Sequence, residues 1–329
     1  MVTIKDLAKY CHYSVTTVSY ALNDSDEIPE ETKEKILKAA EELNYVPSAY
    51  ARGLKKRKTY NIGVYIPDFG GPVRHVILSG LVEGFKENDS RYNMIVLLPD
   101  DKMTFIRERR LDLAIITDPK IPDNTIKELS GIMPVVLMDN NINGDNCYEI
   151  DVNNEEGVYN LTKELIERGS KRIAYLYGSH ASYHNMLRFK GYKKALIESG
   201  INPDEMVFFD ADSFTEEAGY ETVKKALNSQ KKDFDTLMCG NDELAIGAIK
   251  ALQELGYNVP KDIKVTGFDN IDKGTLINPS LSTITVDWFL FGKEMAKYSL
   301  DVLARKNVDN TVFLKTAKII WRDSTKNIW

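Results

Sequence analysis

Apolar positions recur at helical spacing as far as Leu43 and change period from Asn61 onward. Ile4, Leu7 and Ala8 fall on one face of a helix, which the pair Thr3 and Asp6 opens as a capping box. A second short helix follows its cap Ser14, with Val18, Ala21 and Leu22 turned inward and Val15, Thr16, Thr17, Ser19 and Tyr20 including the outward set. Pro29, Glu30 and Glu31 announce a third helix: acidic residues in a first turn suit the helix dipole, and Ile36, Leu37, Ala40 and Leu43 form the apolar stripe. The run Asn44-Tyr45-Val46-Pro47 stops it. Two short helices with a tight break between them, the second rich in small polar residues, are what a helix-turn-helix needs to enter a DNA major groove.

Beyond Asn61, short β-rich runs alternate with amphipathic stretches. Strands are predicted at 62–66, 94–98, 113–117, 135–138, 173–177, 207–209, 236–239, 264–268 and 283–286, and helices at 158–168, 189–199, 218–227 and 245–255. Repeated βα units imply parallel sheets with helices on both faces. So many units suggest two lobes, with a ligand in the cleft at the carboxyl ends of the strands.

A chain of 329 residues suits two or three domains, and 43% hydrophobic with 28% charged residues is ordinary for a soluble globular protein. No stretch approaches ~18 uninterrupted apolar residues, and no basic start leads into an apolar run. Neither a membrane span nor a signal peptide is expected, which points to the cytoplasm. Cys11, Cys147 and Cys239 are far apart and odd in number, so they suit a reducing cytosol rather than a disulfide frame. Nothing calls for a metal or a cofactor.

The net charge of −6 at first sight opposes DNA binding, but residues 1–58 carry ten Lys/Arg against nine Asp/Glu while the remainder carries 33 against 40. Five of the seven residues 52–58 are basic. A charge run alone is more often a solvated linker. Its place directly after a helix-turn-helix reverses that reading, because DNA affinity depends on local phosphate neutralisation. The chain has no glycine-rich dinucleotide loop, no phosphate loop with Gly-Lys-Ser/Thr and no nucleophile elbow, so no enzyme is expected. A transport or chemotaxis binding protein would use the lobes and leave the N-terminal motif unexplained.

The residues Thr3-Ile4-Lys5-Asp6-Leu7-Ala8, Thr17-Val18-Ser19, Thr32, Ala39-Ala40, Leu43-Asn44-Tyr45-Val46-Pro47 and Ala51-Arg52-Gly53-Leu54 resemble the headpiece of LacI/GalR-family repressors, without gaps. The runs Val135-Val136-Leu137-Met138-Asp139, Gly240-Asn241-Asp242-Glu243-Leu244 and Val265-Thr266-Gly267-Phe268-Asp269 resemble the family's sensor, and most of the chain fits. The resemblance implies an all-α helix-turn-helix headpiece at 1–47 and a hinge helix with basic linker at 48–58. Behind them it implies an α/β two-lobed periplasmic-binding-protein-like (type I) sensor with parallel sheets at 59–329. The chain would cross between lobes near 158, 287 and 318.

By the same resemblance, Val15, Thr16 and Tyr20 sit where the family reads base edges, and Thr3, Ser14, Thr17, Asn23, Thr32 and Tyr45 where it contacts phosphates. Ser48, Ala51, Arg52 and Leu54 match the hinge helix of the minor groove, with Leu54 as the wedge that unstacks a central base step. Many members carry arginine where this chain has Tyr20. Tyrosine cannot make the bidentate contact to guanine; it offers one hydrogen bond and an apolar face to a thymine methyl, or else packs on the headpiece surface.

In the sensor, Arg188, Asn241 and Asp269 match positions that bind ligand hydroxyls, Phe214 and Trp288 match aromatic positions near a sugar ring, and Asp68, Phe69 and Arg74 follow the first strand on the other wall. Asn241 also reads as a helix cap. An Arg74 facing the cleft would favour an anionic effector such as a sugar phosphate. The implied partners are double-stranded operator DNA, a second copy of the chain and a small-molecule effector. By family analogy the effector is a galactoside or related saccharide that releases the operator; the alternative is a corepressor-dependent regulator responding to a purine, a sugar phosphate or a phosphorylated carrier protein. No leucine heptad follows Trp321-Arg322-Asp323-Ser324, so a dimer without an added coiled coil is expected. The segment 99–111 is shorter than the family's usual stretch before the third strand, so its helix is expected to be truncated or irregular and the dimer interface to differ locally.

Overall fold

The computed structural model describes residues 2–46, 58–202, 205–229, 233–314 and 318–326. The hinge residues Ser48, Ala51, Arg52 and Leu54 lie outside the described residues. Two compact units are present, Met1–Tyr60 and Asn61–Trp329.

The first unit holds helices α1 (Ile4–Tyr10), α2 (Val15–Leu22) and α3 (Glu30–Glu42). The capping box forms: Asp6 N donates to Thr3 Oγ1 at 3.3 Å, and Thr3 N donates to Asp6 Oδ2 at 2.9 Å. Ser14 Oγ accepts from Thr17 N at 3.0 Å and so opens α2. Leu7, Val18 and Ile36 are fully buried and close the core with Ala8, Ala21, Ala39 and Ala40. One stripe position differs from expectation. Leu37 is 42% exposed, because it sits a quarter-turn off the face of Ile36, while Ala39 and Ala40 lie one turn along that face.

In the second unit the described residues form two six-stranded sheets. The first contains β1 (Asn61–Tyr65), β2 (Asn93–Leu97), β3 (Leu113–Ile116), β4 (Val135–Leu137), β5 (Cys147–Val152) and β11 (Thr311–Leu314), in the order β11-β5-β4-β3-β1-β2, all parallel. The second contains β6 (Ile173–Tyr177), β7 (Val207–Asp210), β8 (Thr236–Cys239), β9 (Lys264–Asp269), β10 (Ser282–Thr285) and β12 (Lys318–Ile320), in the order β12-β10-β9-β8-β6-β7. Only the β10–β12 pair is antiparallel. Each predicted strand is present to within one residue at either end.

Helices α4 (Arg74–Asp89), α5 (Thr104–Arg107) and α6 (Asp123–Ser130) connect the first sheet, and α7 (Asn154–Glu167), α8 (Tyr183–Glu198), α9 (Glu216–Ser229), α10 (Asp242–Glu254) and α11 (Asp272–Leu276) the second. The four-residue α5 is the truncated helix expected before β3. Helix α12 (Trp288–Leu303) returns to pack on α4. That contact is backbone to backbone: a Cβ on Gly80 would lie 2.1 Å from the Phe289 carbonyl oxygen, and one on Gly292 would lie 2.3 Å from that of Ile77.

The strand orders locate the passages between lobes. Helix α7 already packs on α8, so the first passage lies at 152–154, ahead of the expected 158. The second runs from β10 into α12, at 286–287, and the third joins β11 to β12 through 315–317, outside the described residues. Among the described residues no helix is long and apolar enough to cross a membrane, and no group of three His, Cys, Asp or Glu could hold a metal ion.

Candidate functional site

Two surfaces carry the predicted residues. On the headpiece, the outer face of α2 presents Val15, 42% exposed, and Thr16 to solvent. Thr3, Ser14 and Thr17 stand at the N-terminal turns of α1 and α2, where unpaired N–H groups and the helix dipole favour phosphate. Asn23 ends α2 and donates from Nδ2 to the Ser19 carbonyl at 2.7 Å. Thr32 is half-buried in the first turn of α3, and Tyr45 packs against the headpiece core. Tyr20 is half-buried, and a hydrogen bond to the Glu27 carboxylate raises its phenol pKa above the usual value.

In the second unit a cavity of about 500 Å³ opens at the carboxyl ends of the strands. Asp68 and Arg74 reach it after β1, Asp118 after β3 and Asp139 after β4. From the second sheet come Phe214 after β7, Asn241 after β8 and Asp269 at the end of β9, with Arg188 from α8 and Trp288 from the start of α12. Chain ends of parallel strands converge here from both lobes, the usual place for a ligand in open α/β sheets. Phe69 is the exception among the eight expected residues. It is 72% exposed and lies outside the lining, because its loop turns the ring to solvent while Asp68 and Arg74 bond to each other.

Arg188 organises the lobe-two wall. It is 4% exposed, donates from Nε to Asn154 Oδ1 at 2.8 Å and from Nη1 to the Gly240 carbonyl at 2.7 Å, and its guanidinium lies 3.7 Å from the Phe268 ring centroid. Its Nη2 is 3.7 Å from Asp269 Oδ1. Burial pushes the Asp269 carboxyl up to about 6, with Arg188 pulling against that rise. Asp269 also holds a φ of 114°, a backbone region that costs a side-chain-bearing residue on the order of 1–3 kcal/mol and that clusters at binding sites.

Asn241 is committed to the fold at both ends of its amide. Oδ1 accepts from Leu244 N at 2.9 Å, capping α10, and Nδ2 donates to the Phe214 carbonyl at 3.1 Å. One N–H and one lone pair remain for a ligand. Trp288 is 6% exposed and packs edge-on against Phe291 at 5.6 Å, and its Nε1 has no hydrogen-bond partner among the described residues. A buried indole N–H on a cavity wall is a donor in search of an acceptor.

The structure adds a cluster that sequence reasoning missed. His184 Nε2 lies 2.6 Å from Asp151 Oδ2, and Asp139 Oδ1 accepts from Ser182 Oγ at 3.0 Å and from His184 N at 2.5 Å. Asp139 follows β4 and Asp151 lies in β5 of the first sheet, while His184 is on α8, so the cluster ties the two lobes together. Burial works against a charged imidazole here, yet Asp139 and Asp151 carry the His184 pKa above its ordinary value. Burial likewise raises the Asp139 carboxyl. The available signal was spacing: His184 precedes Arg188 by four residues, one turn along the same helix face.

Comparison with known proteins matches both parts of the chain. The model of the lacI family of bacterial regulatory proteins matches residues 3–48, and that of a periplasmic binding protein-like domain matches residues 162–325. The HTH-type transcriptional regulator RegA of Clostridium saccharobutylicum is 30% identical over 333 residues, covering 98% of this chain and 99% of the relative. Catabolite control protein A of Priestia megaterium is 28% identical over 336 residues, 99% of each. Among solved structures, the lac repressor dimer bound to operator and the anti-inducer ONPF superposes with a TM-score of 0.85 at 24% identity, covering 98% of this chain and 99% of that one.

Proposed function

The chain belongs to the LacI family of bacterial regulatory proteins, and from that premise we propose that it represses carbohydrate-utilisation genes and leaves its operator when a small sugar enters the interlobe cavity. It acts as a cytoplasmic homodimer and not as an enzyme. Each headpiece reads half of a near-palindromic site, which is why two copies are needed. The observation that carries the sugar reading is the convergence of Arg188, Asn241 and Asp269 with the rings of Phe214 and Trp288 in one cavity. Hydroxyls need such donors and acceptors, and the apolar face of a pyranose or furanose needs a ring to lie on. Val15, Thr16 and Tyr20 are the base readers, and Thr3, Ser14, Thr17, Asn23, Thr32 and Tyr45 the phosphate contacts.

Release requires that the sugar bind the operator-free state more tightly than the operator-bound one; equal affinity for both would shift nothing. The test is fluorescence anisotropy on a family-type palindromic operator at fixed salt, titrated with sugars, sugar phosphates and purines. Release by one sugar supports the proposal. Tightening by a ligand replaces it with a corepressor mechanism, and loss of operator selectivity under every condition overturns the headpiece assignment, beginning with Tyr20.

A further inference from the structure

The cavity wall is richer in carboxylates than in cations. Asp68, Asp118, Asp139, Asp212, Glu243 and Asp269 line it, against Arg74, Lys120, Arg188 and His184. The strongest cations are already engaged. Arg188 serves Asn154, Gly240 and Asp269, and His184 serves Asp151 and Asp139. Arg74 is the part-buried cation left to an anionic effector, since Lys120 is exposed to solvent, and its Nη1 donates to the Asp68 carboxylate and to the carbonyls of Asp68 and Gly70. Asp68 Oδ1 in turn accepts from Gly70 N at 2.7 Å, so the loop after β1 folds onto Nη1 of the guanidinium. Across the cavity, Glu243 is half-buried and lines the wall.

We propose that Asp68 is the residue that sets the charge of the effector: by holding Arg74 it excludes phosphorylated and carboxylated sugars and leaves a cavity that accepts an uncharged one. This deepens the sugar-effector reading and rests on it. A neutral sugar brings hydroxyl donors, which the Asp68 and Glu243 carboxylates accept as charge-assisted hydrogen bonds. A phosphate or carboxylate would meet the same carboxylates as a like charge, with Nη1 of Arg74 already engaged by Asp68. On this proposal an Arg74 held by Asp68 does not favour a sugar phosphate.

The test uses the full chain and matched pairs: glucose with glucose 6-phosphate, ribose with ribose 5-phosphate, and galactose with galacturonate. Each is titrated by calorimetry into the wild type, Asp68→Asn and Asp68→Glu. In whichever pair binds, the neutral sugar should bind the wild type at least about tenfold more tightly than its anionic partner. Asp68→Asn should narrow that ratio by about tenfold, as expected when a guanidinium regains a free fork, and Asp68→Glu should retain it. An anionic member that binds the wild type more tightly than its parent overturns the proposal, and so does an Asp68→Asn ratio equal to the wild-type one. If no sugar binds in any form, the effector reading itself fails and this inference with it. That result is distinct from binding with the opposite charge preference.

Discussion

The Tyr20 hydroxyl is held by Glu27, so using it to read a base means exchanging that hydrogen bond for one to DNA. The exchange leaves little net gain from the hydroxyl and leaves the ring as an apolar surface for a thymine methyl. Tyr20→Arg should therefore raise the preference for guanine at the facing operator position. A bidentate pair is worth about 1–3 kcal/mol of discrimination, and anisotropy on operators varied at that one position measures it. An unchanged base preference would mean that residue 20 does not reach a base edge. At this scale motif positions were legible and orientations were not. Arg188 and Asp269, the positions that the family resemblance supplied, both line the cavity. Phe69 differs from Phe214 only in which way its loop turns, and no pattern of residue types records that.

Elements were legible where both faces of a strand are apolar. The runs 173–177 and 236–239 are buried on both sides of a parallel sheet and need no alternation to be recognised. Strand β5 defeats the same reasoning, because Glu149 and Asp151 are buried within it and interrupt the apolar run of Cys147–Val152. Asp151 belongs to the interlobe cluster, so the local rule fails where the site begins. Helix α4 was hidden by Gly80 and Gly84, which weaken a helical pattern yet admit the backbone of α12. Gly292→Ala tests that contact from the other side. Its new methyl would meet the Ile77 carbonyl, and backbone cannot step aside as a flexible side chain can. The expected cost is about 1–3 kcal/mol, read as a lower urea midpoint at unchanged m value. A neutral substitution would mean that α4 and α12 sit farther apart than described.

At the scale of the whole molecule, two lobes followed from counting βα units. The passages between them did not, since β5, β11 and β12 carry no clear period in sequence. The assembled lobes also create a collective property that no segment has alone. Burial raises the carboxyls of Asp269 to about 6, Glu149 to about 7 and Asp242 to about 8, and the His184 imidazole is raised by its two aspartates despite burial. Every one of these groups binds its proton more tightly folded than unfolded. Their stabilising contribution is therefore complete below the unfolded carboxylate values of 3.8 and 4.5 and is lost as pH rises through the folded values. Between pH 6 and pH 8 the folded state should lose stability, by up to about 1.4 kcal/mol per pH unit for each proton of difference. The melting temperature should accordingly be higher at pH 6 than at pH 8. Asp242 is the deepest contributor, at 1% exposure, and takes hydrogen bonds from Thr283 Oγ1 at 2.6 Å and Ile271 N at 2.9 Å. Asp242→Asn removes its titration while keeping an acceptor, so the variant's melting temperature should vary less over that interval. A wild-type melting temperature that rises from pH 6 to pH 8 would mean that these carboxylates are ionised in the folded protein. The wall behind the cavity would then be wet.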